Sequence, residues 1–259
     1  MPIGTMHMMS RGLGRPTPYT IILPEPDLGP GPYPVLLQLH GKWDDYQSWL
    51  VKSRLASHVE KLPLIVVLPD GGNFWWSNVG AYLGYEDYLT QDLRAHITGT
   101  YPVRPGPWAL GGLSMGGFGS LHLALKHPEL YCSVFAHSSA IPTASVLQEW
   151  EPQLSAATVA DMDCYRLAAE ADTARLPVLS FDCGTDDGLI DQNRQFHARL
   201  DRLGIAHNYT EHPGGHTWDY WDLHVQTALQ QHARVLDLHP PISAAPAETP
   251  DAGNVTGER

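Results

Sequence analysis

The chain has 259 residues, 43% hydrophobic and 17% charged, enough to bury a substantial core and too apolar for a disordered segment. Sixteen Lys and Arg against 28 Asp and Glu give a formal net charge of −12, which disfavours nucleic acid and anionic membrane as partners. Three scattered cysteines, Cys132, Cys164 and Cys183, exclude a disulfide framework or a cysteine-based zinc site and read as buried free thiols.

The first 16 residues, MPIGTMHMMSRGLGRP, lack a continuous apolar run and a small-residue cleavage site. They read as an N-terminal extension, not as a secretory signal. No stretch approaches the roughly 18 consecutive apolar residues of a membrane span, so the expectation is a cytoplasmic protein. Short apolar runs then predict strands at 19–23 (YTIIL), 35–39 (VLLQL), 64–68 (LIVVL), 108–110 (WAL), 133–137 (SVFAH) and 178–181 (VLSF). Several have no polar alternation, as expected when helices cover both faces of a parallel sheet. Helical spacing occupies 46–60, 85–97, 116–127, 190–203 and 218–236. In the last of these Trp218, Trp221, Val225, Ala228, Leu229 and His232 trace one stripe.

Strands alternating with helices predict a doubly wound, mostly parallel α/β sheet with helices on both faces, spanning 17–238. Residues 138–176 break the rhythm: they offer helical stretches near 145–151 and 158–170 and no clear strand. They predict a small cap-like insertion over the carboxyl edge of the sheet. The Pro/Ala-rich segment 239–259 reads as a disordered tail, and its Asn-Val-Thr is read as a chance match to a glycosylation pattern.

One stretch carries chemistry. In WALGGLSMGGFGSLHLALKHP a strand runs into Gly112-Leu113-Ser114-Met115-Gly116, and a helix follows to Pro128. This is G-x-S-x-G in a strand–turn–helix setting, which exposes a strained serine hydroxyl at the N-terminus of a helix. Such a hydroxyl needs a base, and the base needs a carboxylate to fix its tautomer. Of fourteen histidines, His40, His58, His96, His122, His127, His197 and His232 fall at strand ends or on helices and read as structural. His216 lies instead in EHPGGHTWDYW, a Pro-Gly-Gly loop between the strand-like AHNYTE and the last helix, where a catalytic base belongs. His212, four residues earlier, cannot share one regular helical turn with it, which argues against a metal pair, and no H-E-x-x-H occurs.

For the acid, VLSFDCGTDDGLIDQNRQF offers four aspartates. Asp182 belongs to the strand and Asp191 to the helix, which leaves Asp186 and Asp187 in the turn; spacing does not choose between them. Either can also cap the following helix. For a developing oxyanion, one donor is the Met115 amide and the other comes from the loop after an early strand. VLLQLHGKWDD puts His40-Gly41 there and makes the Lys42 amide the candidate, against a plain strand-end turn.

Together these pieces resemble the esterase D-like branch of α/β-hydrolases: feruloyl esterases, tributyrin-type acyl esterases, S-formylglutathione hydrolases and mycobacterial mycolyltransferases. The resemblance is carried by YPVLLQLHG, LIVVLPDGGNFWWSN, YEDYLTQDL, GLSMGGFGSLHLALKHPELY, CGTDDGLIDQNRQF and PGGHTWDYWDLH, across about residues 17–236. It implies an α/β-hydrolase fold and a Ser114–Asp187–His216 triad, the acid being the residue directly before Gly188. It also implies Lys42 and Met115 as oxyanion amides, with no metal and no organic cofactor. At position 42 the family usually carries an apolar residue, and the segment 138–176 matches poorly, so acyl and alcohol preference do not transfer. Trp43, Trp75 and Trp76 are candidates for an acyl or aromatic pocket, against the plainer reading that they are core.

The expected activity is hydrolysis of small carboxylic esters, of short acyl or aromatic (feruloyl) type, through an acyl-enzyme. Acyl transfer and S-formylglutathione thioester hydrolysis are the rival readings on the same site. A vestigial hydrolase fold that only binds is the remote one. Self-association is left open.

Overall fold

A computed structural model describes residues 1–238, so the expectation of a disordered tail at 239–259 lies outside the described residues. Eight strands form one sheet: β1 (Ile3–Ser10), β2 (Arg15–Ile22), β3 (Val35–Leu39), β4 (Ile65–Pro69), β5 (Trp108–Leu113), β6 (Tyr131–His137), β7 (Val178–Gly184) and β8 (Asn208–His212). Their spatial order is β1-β2-β4-β3-β5-β6-β7-β8. β2 pairs antiparallel with β1 and with β4, and every other pairing is parallel.

The helices follow in chain order. α1 (Ser48–Val51) and α2 (Leu55–Val59) come after β3. After β4, α3 (Tyr85–Asp87) runs through a π-helical segment, Tyr88–Leu93, into α4 (Arg94–Thr100). α5 (Met115–Lys126) follows β5. The stretch 138–176 contains α6 (Ala144–Trp150), α7 (Ala156–Asp161) and α8 (Cys164–Glu170) and no strand. α9 (Ile190–Leu203) follows β7, and α10 (Trp218–Val235) follows β8.

The strands are apolar throughout because both their faces are covered. Successive side chains of a strand point to opposite faces, and the core divides accordingly. Val35, Leu37, Leu39, Ile65 and Val67 pack with Tyr88, Phe118, Leu121, Phe196 and Leu200 on one face. Leu36, Val66 and Leu68 pack with Trp49, Leu55, Val59, Trp221, Val225 and Leu229 on the other. α5 runs against the sheet with eleven of its twelve residues buried, which is why its sequence has no polar stripe.

The N-terminal reading needs correction. Residues 3–10 are no extension outside the domain: they form the edge strand β1, paired residue for residue with β2 from Ile3↔Ile22 to Ser10↔Arg15. The segment has little β-branched character, so local preference does not announce it. Its turn is held from elsewhere, because Asp92 accepts hydrogen bonds from the Arg11 and Gly12 amides at 2.6 and 2.9 Å and from Ser10 Oγ at 2.8 Å. The region read as one helix over 46–60 is two short helices, broken at 52–54.

α10 is tied to β6 through buried polar groups. His232 Nδ1 lies 2.8 Å from Ser133 Oγ, and Gln231 Nε2 donates to the Val134 carbonyl at 3.0 Å. Burial, and secondarily the neighbouring His137, push the His232 pKa down from 6.5 to about 3. The unfolded chain therefore binds this proton below about pH 6.5 while the native state resists it until about pH 3. The stability contributed by neutral His232 is complete above pH 6.5 and falls as pH drops. The unfolding midpoint should accordingly decline between pH 6.5 and 4, and His232→Leu should flatten that decline. An equal slope in the variant would assign the acid loss to other groups.

Candidate active site

Ser114 sits between β5 and α5 with φ 54° and ψ −114°, a left-handed backbone that a serine adopts only under constraint. Three main-chain hydrogen bonds hold it: Ser114 N–H donates to the His137 carbonyl at 2.9 Å, while the Phe118 and Ala140 amides donate to the Ser114 carbonyl at 3.0 and 3.1 Å. Two glycines let the turn close. A β-carbon on Gly112 would lie 2.5 Å from the Gly116 carbonyl oxygen, and one on Gly116 would lie 2.6 Å from the Leu39 and His40 carbonyl oxygens. The serine side chain makes no cap to α5, so its hydroxyl is not consumed by the helix.

His216 Nε2 lies 3.0 Å from Ser114 Oγ, and His216 Nδ1 lies 2.8 Å from Asp187 Oδ2. An ionised carboxylate only accepts, so Nδ1 carries the proton, and Nε2 is left to accept the one on the serine. Asp187 is buried, and its second oxygen accepts the Leu189 amide at 2.8 Å. Burial alone would push its pKa up. The hydrogen bonds from His216 and the Leu189 amide, with the charge of His216, outweigh it and hold the carboxyl below its ordinary value. Asp186 is exposed in the same turn, and of the two aspartates it is Asp187 whose carboxylate lies within hydrogen-bond distance of the imidazole. The ring of Trp221 meets His216 edge to face at 4.9 Å, and its indole N–H donates to Ser138 Oγ at 3.1 Å.

A cleft of about 370 Å³ opens beside Ser114, lined by Lys42, Trp75, Met115, Ala140, Trp150 and Leu189. Met115 opens α5, so its amide has no acceptor within the helix. The loop that carries Lys42 is fixed by His40. This buried ring donates from Nδ1 to the Gly41 carbonyl at 2.7 Å and accepts the Gly71 amide on Nε2 at 2.9 Å. Burial lowers the His40 pKa, which suits that neutral role.

The three candidate tryptophans separate. Trp75 is buried and lines the cleft. Trp76 does not: it is fully buried beneath the β4 loop, donating to the His40 carbonyl at 3.2 Å and filling the space that Gly119 leaves open. Trp43 is 82% exposed and stands outside this cleft. Leu189, Ala140 and Trp150 line the cleft unforeseen, and Glu151 beside Trp150 reaches Lys42 and Trp75. Trp150 and Glu151 belong to the segment 138–176, where no motif marks a residue.

Among the described residues three clusters bring potential metal-ligand atoms within 4.8 Å of one another: Asp182/His212/His224, His197/Asp201/His207 and Glu86/His122/Asp161. None contains Ser114, Asp187 or His216. In the first, both oxygens of Asp182 already lie 3.0 Å from His137 Nδ1. No helix among the described residues is long and apolar enough to cross a membrane.

Comparison with known proteins agrees in kind with this arrangement. A family model described as "Putative esterase" matches residues 10–232. An acetyl esterase of Caldicellulosiruptor saccharolyticus is 26% identical over 223 residues, covering 78% of this chain and 84% of that protein. An esterase of Mycobacterium tuberculosis is 30% identical over 225 residues, 72% of this chain and about half (49%) of its own length. Among solved structures, a ferulic acid esterase superimposes with a TM-score of 0.80 at 25% identity, covering 90% of this chain and 98% of that one. An S-formylglutathione hydrolase of Agrobacterium tumefaciens gives 0.81 at 21% identity, covering 90% and 95%, and shows the fold alone.

The glycine contacts make the turn at Ser114 testable by itself. Gly116→Ala forces its new methyl against two main-chain oxygens that cannot swing away, so denaturant unfolding should show a loss of roughly 1–3 kcal/mol. Gly99→Ala, where a β-carbon meets nothing within 4 Å, serves as the control and should show no comparable loss.

Proposed function

The chain belongs to this esterase family, and from that premise we propose a serine carboxylesterase acting on small carboxylic esters of short acyl or aromatic type. The observation that supports the reading most directly is the unbroken relay from Ser114 Oγ through His216 to Asp187, with steps of 3.0 and 2.8 Å.

In this reading Ser114 Oγ attacks the ester carbonyl as His216 Nε2 takes its proton. Asp187 keeps the imidazole in the required tautomer and stabilises the imidazolium that forms. The Lys42 and Met115 amides receive the tetrahedral oxyanion, next to the N-terminus of α5. His216 then returns the proton to the leaving alcohol, and the acyl group stays on Ser114. Water enters, gives a proton to His216 and attacks the acyl-enzyme, which releases the acid and restores the hydroxyl. Every proton in the cycle passes through His216, so the reaction needs no group beyond these residues.

The cleft bears on the substrate. At about 370 Å³, walled by Trp75, Trp150, Ala140 and Leu189, it suits a short or single-ring acyl group. The acetyl esterase and ferulic acid esterase relatives bracket that size range.

Ser114→Ala should abolish labelling by a fluorophosphonate probe and lower p-nitrophenyl acetate hydrolysis by several powers of ten, leaving a residue of roughly 10³-fold over water. Full retained hydrolysis would remove the assignment. The acid is tested separately: Asp187→Asn should lower kcat by roughly 10⁴-fold, through the wrong imidazole tautomer. Asp186→Asn should stay near wild type. The reverse pattern would transfer the role to Asp186.

A further inference from the structure

Glu151 lies immediately after α6, in the segment that covers the cleft, and its carboxylate gathers donors from three separate stretches of chain. Oε1 accepts from Lys42 Nζ at 2.6 Å and from Trp75 Nε1 at 2.8 Å, across 109 and 76 residues of sequence. Oε2 accepts from Gln153 Nε2 at 2.7 Å. The Glu151 side chain is 12% exposed and that of Lys42 33%. Burial alone would push the Glu151 pKa up; the Lys42, Trp75 and Gln153 hydrogen bonds outweigh it and hold the carboxyl below its ordinary range. The Lys42 ammonium also stands 5.4 Å from the centre of the Trp75 ring, and the ring of Trp150 stacks on Trp75 at 6.1 Å and 20°.

Both partners of Glu151 Oε1 border the reacting centre. Lys42, Trp75 and Trp150 line the same cleft as Ser114, and Lys42 supplies one of the amides assigned to the oxyanion. We infer that Glu151 is a positioning residue: one carboxylate oxygen pins the segment over the cleft to the Lys42 loop and to the Trp75 wall, which sets the depth of the acyl site. The inference rests on the reading of Ser114 as nucleophile.

The physical consequence is a dependence on acyl size. With the clamp closed, Trp150 is held against Trp75 and a short acyl group is gripped on both sides. With the charge removed, the covering segment is no longer drawn onto the Lys42 loop, and a short acyl group loses contacts that a longer chain regains by filling the wider cleft. A purely structural role predicts a different result, in which all esters suffer alike in proportion to lost stability.

The test compares wild type, Glu151→Gln, Lys42→Met and the double variant on p-nitrophenyl acetate, butyrate and octanoate, with thermal midpoints measured in parallel. Glu151→Gln keeps an oxygen for the Trp75 N–H and removes the charge; Lys42→Met keeps the backbone amide and removes the ammonium. Each single variant should raise KM for acetate roughly threefold to tenfold, with a smaller change for octanoate. The midpoint should stay within about 2 °C of wild type, and the double variant should be no worse than the poorer single. Unchanged KM and acyl profile in both singles would overturn the inference, as would a uniform loss across esters that tracks a fallen midpoint. Fluorophosphonate labelling separates the two levels. Wild type that fails to label at Ser114 removes the esterase reading and this inference with it. Wild type that labels, beside a Glu151→Gln variant whose KM equals wild type on all three esters, removes the clamp alone.

Discussion

The distance between β3 and the first turn of α5 is the constraint on which this site depends. Leu39 and His40 present carbonyl oxygens where a side chain at position 116 would stand, and the Gly116 carbonyl in turn occupies the place of a side chain at 112. Only with both positions bare can α5 begin directly at the strand ends and force Ser114 into the left-handed region. That conformation is unfavourable by roughly 1–3 kcal/mol. It is held by hydrogen bonds from residues 118 and 140 and to residue 137, on α5, after β6 and at the end of β6. Ser114 Oγ therefore stands within reach of His216 because main-chain contacts fix the turn that carries it.

Asp187 and His216 are positioned by a second main-chain device. The Thr185 amide donates to the His212 carbonyl at 2.8 Å and the Asp186 amide to the Gly214 carbonyl at 2.9 Å, so the turns after β7 and β8 are stitched together beyond the strands themselves. Gly184 has no β-carbon where the Gly214 carbonyl passes, and Gly214 adopts φ 135°. Asp187 and His216 are consequently carried on two turns bonded to each other, and their 2.8 Å hydrogen bond does not depend on long flexible side chains. Trp221 closes the other side of the imidazole, itself anchored on Ser138 next to the end of β6. Three side chains distant in sequence are thus set by backbone contacts among neighbouring strand ends.

This explains which parts were legible in the sequence. The strands at 35–39, 64–68 and 178–181 were readable because burial on both faces leaves no polar alternation to disguise them, and α9 because its stripe faces one core. Ser114 and His216 were readable because glycine must appear where chains cross, and glycines flank both. The choice of Asp187 over Asp186 needed either the resemblance or the coordinates, since spacing says nothing of which of two neighbouring side chains turns inward. Strand β1 was missed because its pairing is enforced by β2 and by Asp92, 80 residues away, with little in its own composition to declare it. For Trp76 the sequence leaves pocket and core both open, because an aromatic that fills the space above glycines at 71 and 119 looks, in sequence, the same as one that walls a cleft.

The covering segment obeys different physics from the sheet. No strand pairing holds residues 138–176 in place; α8 packs against α5 and α9, α6 packs against α7, and the three short helices are capped by Thr143, Ser155 and Asp163. Caps fix where helices start and say nothing about how far the group reaches over Ser114. That reach is set by side-chain contacts at its rim, where Glu151 meets Lys42 and Trp150 meets Trp75. Such contacts can change one residue at a time without disturbing the strand ends that hold the relay. The placement of Ser114, Asp187 and His216 therefore rests on glycines and main-chain hydrogen bonds, while the rim of the proposed acyl site rests on an ion pair and two indoles, which can be exchanged without moving a strand end.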